Sequence, residues 1–264
     1  MRGGDDMVDP AAAGGLAQDG SDAVELISPS GEVRPWLVVT CEHATNRMPP
    51  GWSWPEADGW LVDTHWASDL HIRPTVEALT RRLGVPAVLS RFSRLLIDPN
   101  RPLGSDTLFR DVAEGRPVHL NQQLSDAEQQ RRIQALYGPY HQAADRLVGQ
   151  TAGAAVLGMH SFTATYEGHE REVEVGVLFD EDEAVARDFA SAMRGHGYEV
   201  RLNEPYSGRQ GLIFGPRRHA RQHGRLCVEL ELRQDRLADP IHRSRLVELV
   251  AHACESALRP RVEG

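Results

Sequence analysis

The side chains best suited to chemistry stand at the ends of apolar runs. Cys41, Glu42 and His43 close the run "LVVT", His160 and Ser161 close "AAVLGM", and Asp98, Asn100 and Arg101 follow "RLLI". Glu229 and Glu231 alternate with leucines in "CVELEL". In an open α/β sheet the carboxyl ends of the strands share one edge, so residues distant in sequence can meet there. Two histidines and one or two carboxylates meeting in a cleft form the donor set of a hydrolytic zinc site, with three protein ligands and one open position. The spacing alone does not mark such a site, because no HExxH or compact HxxE is present and Asn46 stands three residues after His43.

Two further chemistries are open. Cys41 lies two residues from His43 and could act as a nucleophile beside its base, although a buried cysteine usually packs as a small apolar side chain. Arg94 and Arg101 flank Asp98 and Asn100, so a turn after this run would set two guanidiniums and an amide around one anionic group. A salt bridge from Arg94 to Asp98 is the plainer reading of the same residues. No GxSxG elbow and no GxGxxG after a strand are present.

The elements that would position these residues alternate short apolar runs with amphipathic stretches, the pattern of an α/β fold with a largely parallel sheet. "WLVVT" predicts the first strand. Ile72, Val76, Leu79 and Leu83 predict a helix ended by Gly84, and Ser125 with Glu128 predicts a capping box at the next helix. Gly138 and Pro139 should kink or divide that helix. Ala87 to Leu89 and Arg94 to Ile97 read as short strands, followed by strands in "AAVLGMHS", "VEVGVLF", "YEVRLNEP" and "RLCVELEL". Residues 1–22, rich in Gly, Ala and Asp, read as a disordered tail, and 23–264 as one domain.

The composition narrows the partners. A net charge of -9 argues against nucleic acid and anionic membranes, and no apolar run is long enough to cross a bilayer. All 29 basic residues are arginine, which excludes Schiff-base chemistry and a phosphate-binding lysine. Three widely spaced cysteines fit neither a disulfide framework nor a zinc cluster, so the expected compartment is the cytoplasm.

Taken in order, "VVTCEHATNRMP", "DTHWASDLH", "SRFSRLLIDPNRP", "GMHSFTA", "GVLF", "NEPYSG", "FGPRRHA" and "CVELELRQDRL" resemble the N-formylglutamate amidohydrolase family, related to zinc carboxypeptidases and aspartoacylase. The resemblance implies a three-layer α/β/α sandwich with a mixed, largely parallel sheet. It also implies metal-dependent hydrolysis of a small acidic N-acyl amino acid such as N-formylglutamate, with Zn2+ as the expected cofactor. His43 and His160 match metal ligands. Asn46 stands where a related carboxypeptidase has glutamate, so Asp63 is the expected third ligand, with Glu42 behind it. Glu231 matches the general base that works with a metal-activated water, and Glu229 is its alternative. Arg94, Asn100 and Arg101 match the substrate-carboxylate site, and His141 and His219 match recurrent positions grouped with it. A non-catalytic carboxylate-binding protein on the same fold, and a cysteine-dependent amidase using Cys41 and His43, are the alternatives.

Overall fold

The computed structural model describes residues 22–29 and 35–263; the disordered tail expected over 1–22 lies almost wholly outside them. The seven strands of the central sheet are β1 (Val24–Ile27), β2 (Leu37–Cys41), β3 (Ala87–Ser90), β4 (Ala155–Phe162), β5 (Val175–Leu178), β6 (Val200–Leu202) and β7 (Cys227–Arg233). Their order across the sheet is β1-β3-β2-β4-β7-β5-β6. Strands β3, β2, β4 and β7 run parallel to one another, β1 and β5 join antiparallel, and β6 is parallel to β5. The sheet is therefore mixed and largely parallel.

Strand periodicity assigns the two faces. Leu37, Val39 and Cys41 point into one core with Leu157, Val228 and Leu230, covered by α1 (Ile72–Leu83), α4 (Glu183–Met193), the short α6 (Gln234–Ala238) and α7 (Pro240–Ala253). Val38, Val156 and Cys227 point the other way, under α3 (Gly138–Gln150) and α5 (Phe214–Gln222), where they pack with Tyr140, Ala144 and Ala220. Helices cover both faces, which is the three-layer α/β/α sandwich. Among the described residues no helix is long and apolar enough to cross a membrane.

Local departures from the expected elements have identifiable causes. The run Arg94–Ile97 forms turns instead of a strand, because Ser93 Oγ donates to the Ala67 carbonyl at 2.8 Å and accepts from the Leu95 N–H at 3.3 Å. Such local bonds compete with a ladder. The helix expected to kink or divide at Gly138–Pro139 runs from α2 (Asp126–Arg132) into α3 through a π-turn over Ile133–Tyr137, immediately ahead of the glycine and proline. Strand β1, unanticipated, forms an edge against β3.

Candidate active site

Three strands deliver polar side chains to the same sheet face. Adjacent β4 and β7 pair His160 with Glu231 and Gly158 with Glu229, so all of these positions share the α5 side, and Glu42 joins them from the end of β2. Gly158 is required there: a Cβ would lie 2.6 Å from Pro216 and 2.9 Å from Cγ of Glu229. Above these residues lies a cavity of about 200 Å³ lined by His43, Asp69, His160, Glu231, Arg94, Asn100, Arg101 and Arg110, with Trp66, Tyr166 and Tyr206 among its aromatic walls.

At its base, ligand atoms of His43, Asp69 and His160 lie within 4.8 Å of one another, a buried group that can hold a metal ion. The Nδ1 atoms of the two histidines are 3.1 Å apart, and Oδ2 of Asp69 is 2.9 Å from Nδ1 of His160. Both outer nitrogens face carboxylates. His43 Nε2 lies 2.7 Å from Asp98 Oδ1, and His160 Nε2 lies 3.0 Å from Glu42 Oε2. Donation from Nε2 leaves each Nδ1 lone pair facing the cluster, the usual way of orienting a ligating histidine.

The electrostatics fit a cation. Burial opposes ionisation of Asp98, but Arg94 and His43 hold its carboxyl well below the usual range. Asp69 is likewise lowered against its burial by His43 and His160. His160 is held protonated against its burial by Glu229, Asp69 and Glu42, so the cluster holds a proton where it can instead hold a metal.

Glu231 differs from these carboxylates. Burial, aided by the charge of Asp69, raises it from 4.5 to about 8, and its Oε2 has no hydrogen-bond partner. Glu229 lies deeper, outside the residues lining the cavity, with Oε2 3.6 Å from His160 Nε2. Burial pushes it well above its ordinary value.

Asp63, the expected third ligand, is not part of the cluster. Its exposed carboxylate accepts from Asn46 Nδ2 at 3.3 Å, and Asn46 also donates to the Val62 carbonyl. Asp69 takes that place because its backbone N–H donates to the His43 carbonyl, while its carboxylate accepts from the Ser161 N–H at 3.1 Å. It is thereby tied to the ends of both β2 and β4. Glu42 accepts from Tyr140 and faces the outer nitrogen of His160, behind the cluster.

Cys41 lies on the opposite sheet face, fully buried among aliphatic side chains, with burial pushing its thiol far up. That environment is wrong for a nucleophile. His141 and His219 are also away from the cavity lining. They join at 3.0 Å between α3 and α5, and His219 Nδ1 meets Asp145 at 2.6 Å. Burial, with His219 and Arg218 nearby, lowers His141 to about 3.

The model of the N-formylglutamate amidohydrolase family matches residues 36–238. The chain belongs to this family. It is accordingly a hydrolase of the class that acts on amide bonds. Among solved structures, a gene product of Agrobacterium tumefaciens is similar at 29% identity, covering 90% of this chain and 95% of its own, with a TM-score of 0.80. An N-formylglutamate amidohydrolase from Ralstonia eutropha JMP134 shares the fold at 22% identity and a TM-score of 0.71, covering 90% and 99%. No curated protein matches the chain. The family span takes in every residue of the His43, Asp69 and His160 group, Arg94 to Arg101, and Glu231.

Proposed function

We propose that this amidohydrolase cleaves the amide of a small N-acyl amino acid, with N-formylglutamate as the leading substrate and zinc as the metal. The observation that carries the reading is the placement of Glu231, a buried carboxylate with a free oxygen, in the same cavity as the His43, Asp69 and His160 cluster. A divalent metal held by the three residues would supply a Lewis acid that polarises the acyl carbonyl and acidifies water. Glu231 takes the proton of the attacking water and returns it to the departing amine. Arg94 Nη1 lies 3.5 Å from Asp69 Oδ1, so its guanidinium stands beside the ligand cluster and faces charge developing on the acyl oxygen. Arg101 and Asn100 border the cavity where the amino acid carboxylate is received, although the Asn100 amide already spans Leu212 and Gly215.

The test is release of formate from N-formyl-L-glutamate by zinc-loaded protein, before and after exhaustive chelation. Turnover lost on chelation and restored by zinc is expected. Full turnover in metal-free protein overturns the metal-dependent reading, and binding of the substrate without turnover favours the carboxylate-binding alternative.

A further inference from the structure

The three guanidiniums lining the cavity are not equally engaged. Arg94 is committed to protein carboxylates: its Nη2 and Nε lie 2.7 and 3.2 Å from Asp98 Oδ2, and its Nη1 is 3.5 Å from Asp69. Among the described residues Arg101 donates to neutral oxygens alone, the Asn100 carbonyl at 2.8 Å and Thr107 Oγ1 at 3.2 Å. Arg110 lies with its Cζ 5.2 Å from the centroid of the Trp66 ring and pairs with no carboxylate among the described residues. The ring is itself fixed, since Trp66 Nε1 donates to Glu114 at 3.2 Å.

This leaves a partly buried cation facing others of its own sign. Burial, then the charges of Arg94 and Arg101, outweigh the opposing charge of Asp98 and push the Arg110 pKa below its ordinary value. A guanidinium in that position with no directly paired carboxylate is costly, and a ligand that brings one offsets the cost while making paired, charge-assisted hydrogen bonds. The cavity, about 200 Å³, is smaller than most drug-sized sites and suits a single amino acid derivative. One carboxylate would satisfy Arg101. Arg110 has the charge for a second.

Resting on the amide-hydrolysis reading above, we propose that Arg110, stacked on Trp66, is a specificity-determining residue that binds the side-chain carboxylate of a dicarboxylic N-acyl amino acid. Neither the ligand cluster nor Glu231 supplies this discrimination, because both act on the acyl end. A neutral side chain of the same shape would leave Arg110 without its partner, which makes the amide analogue the informative competitor.

The experiment compares kcat/KM for N-formyl-L-glutamate and N-formyl-L-glutamine on zinc-loaded full-length protein, for wild type, Arg110→Gln and Arg110→Lys. Wild type should prefer the glutamate substrate by roughly tenfold or more, Arg110→Gln should remove most of that preference, and Arg110→Lys should retain part of it. Equal losses on both substrates, or a lysine variant no more selective than the glutamine variant, overturn the assignment. Hydrolysis of both substrates by wild type at equal efficiency overturns the Arg110 role alone. Hydrolysis of neither overturns the amide-hydrolysis reading and the Arg110 role with it.

Discussion

The Nε2 atom of His43 lies 2.7 Å from Oδ1 of Asp98, while its Nδ1 faces Asp69 and His160. The imidazole is thus held from behind by a carboxylate that Arg94 also links to Asp69 of the cluster. Asp98 also accepts from the Asn100 N–H at 2.9 Å and from Arg94, so one carboxylate sets the ligand tautomer and orders the turn beneath the cavity. Asp98→Asn should weaken zinc binding roughly 10- to 100-fold without unfolding the chain. Competition against a chelating dye measures this, and unchanged affinity would remove Asp98 from the metal's support.

The two aspartates of "DTHWASDLH" make opposite predictions. Asp69→Ala should abolish near-stoichiometric zinc, as should His160→Ala, whereas Asp63→Asn should retain it. Elemental analysis of untagged protein separates them. Zinc lost from the Asp63 variant and kept in the Asp69 variant would reverse the assignment made from the geometry.

Cys41→Ala tests the thiol chemistry. The side chain is fully buried in the aliphatic core, so its truncation should cost about 1 kcal/mol in stability. Turnover at a temperature where the variant is folded should stay within about threefold of wild type. A far larger loss in folded protein would return Cys41 to the mechanism.

Glu231→Gln should lower kcat roughly 100- to 10,000-fold while zinc content is kept. The same residue predicts a pH effect on the metal-free protein. The folded state holds a proton on Glu231 up to about 8, whereas the unfolded chain releases it near 4.5, so stability falls as pH rises through that window. Glu231→Gln removes this slope and should stabilise the metal-free protein at pH 8 by an amount on the order of 4 kcal/mol. Thermal melts of both proteins at pH 5 and pH 8 check it, and parallel slopes would sink it.

Six of the seven strands of the sheet were legible because they are local apolar runs with turn residues between them, whereas the edge strand β1 was not and Arg94–Ile97 read as a strand but forms turns. The first α-helix was legible too, with Gly84 closing it in the left-handed region at φ 65, and so was the Ser125 cap, whose oxygen accepts from the Glu128 N–H. His43 and His160 were visible as polar residues closing buried strands. Asp69 was not, because its place depends on bonds to His43 and Ser161, which are 26 and 92 residues away and leave no periodic trace. Arg110 left no trace for the same reason: the role proposed for it rests on its having no paired carboxylate among the described residues, which only the packed structure displays. His141 and His219 were visible as residues but not by location, since their positions on helices do not say that α3 and α5 bury them against each other.

The pairing of His160 with Glu231 on neighbouring strands binds two selective pressures into one. Leu230 and Leu232 occupy the alternate positions of the same strand, so shifting it by one residue would trade both glutamates for leucines on the reactive face and bury charge in the aliphatic layer. A chain that misaligns its chemistry therefore also fails to fold, and quality control that discards unfolded chains discards inactive ones as well. Innovation is left to the segments outside that ladder, the turns bearing the cavity-lining Trp66, Arg110 and Tyr206, where a replacement reshapes the cavity wall while the strand pairing stays intact.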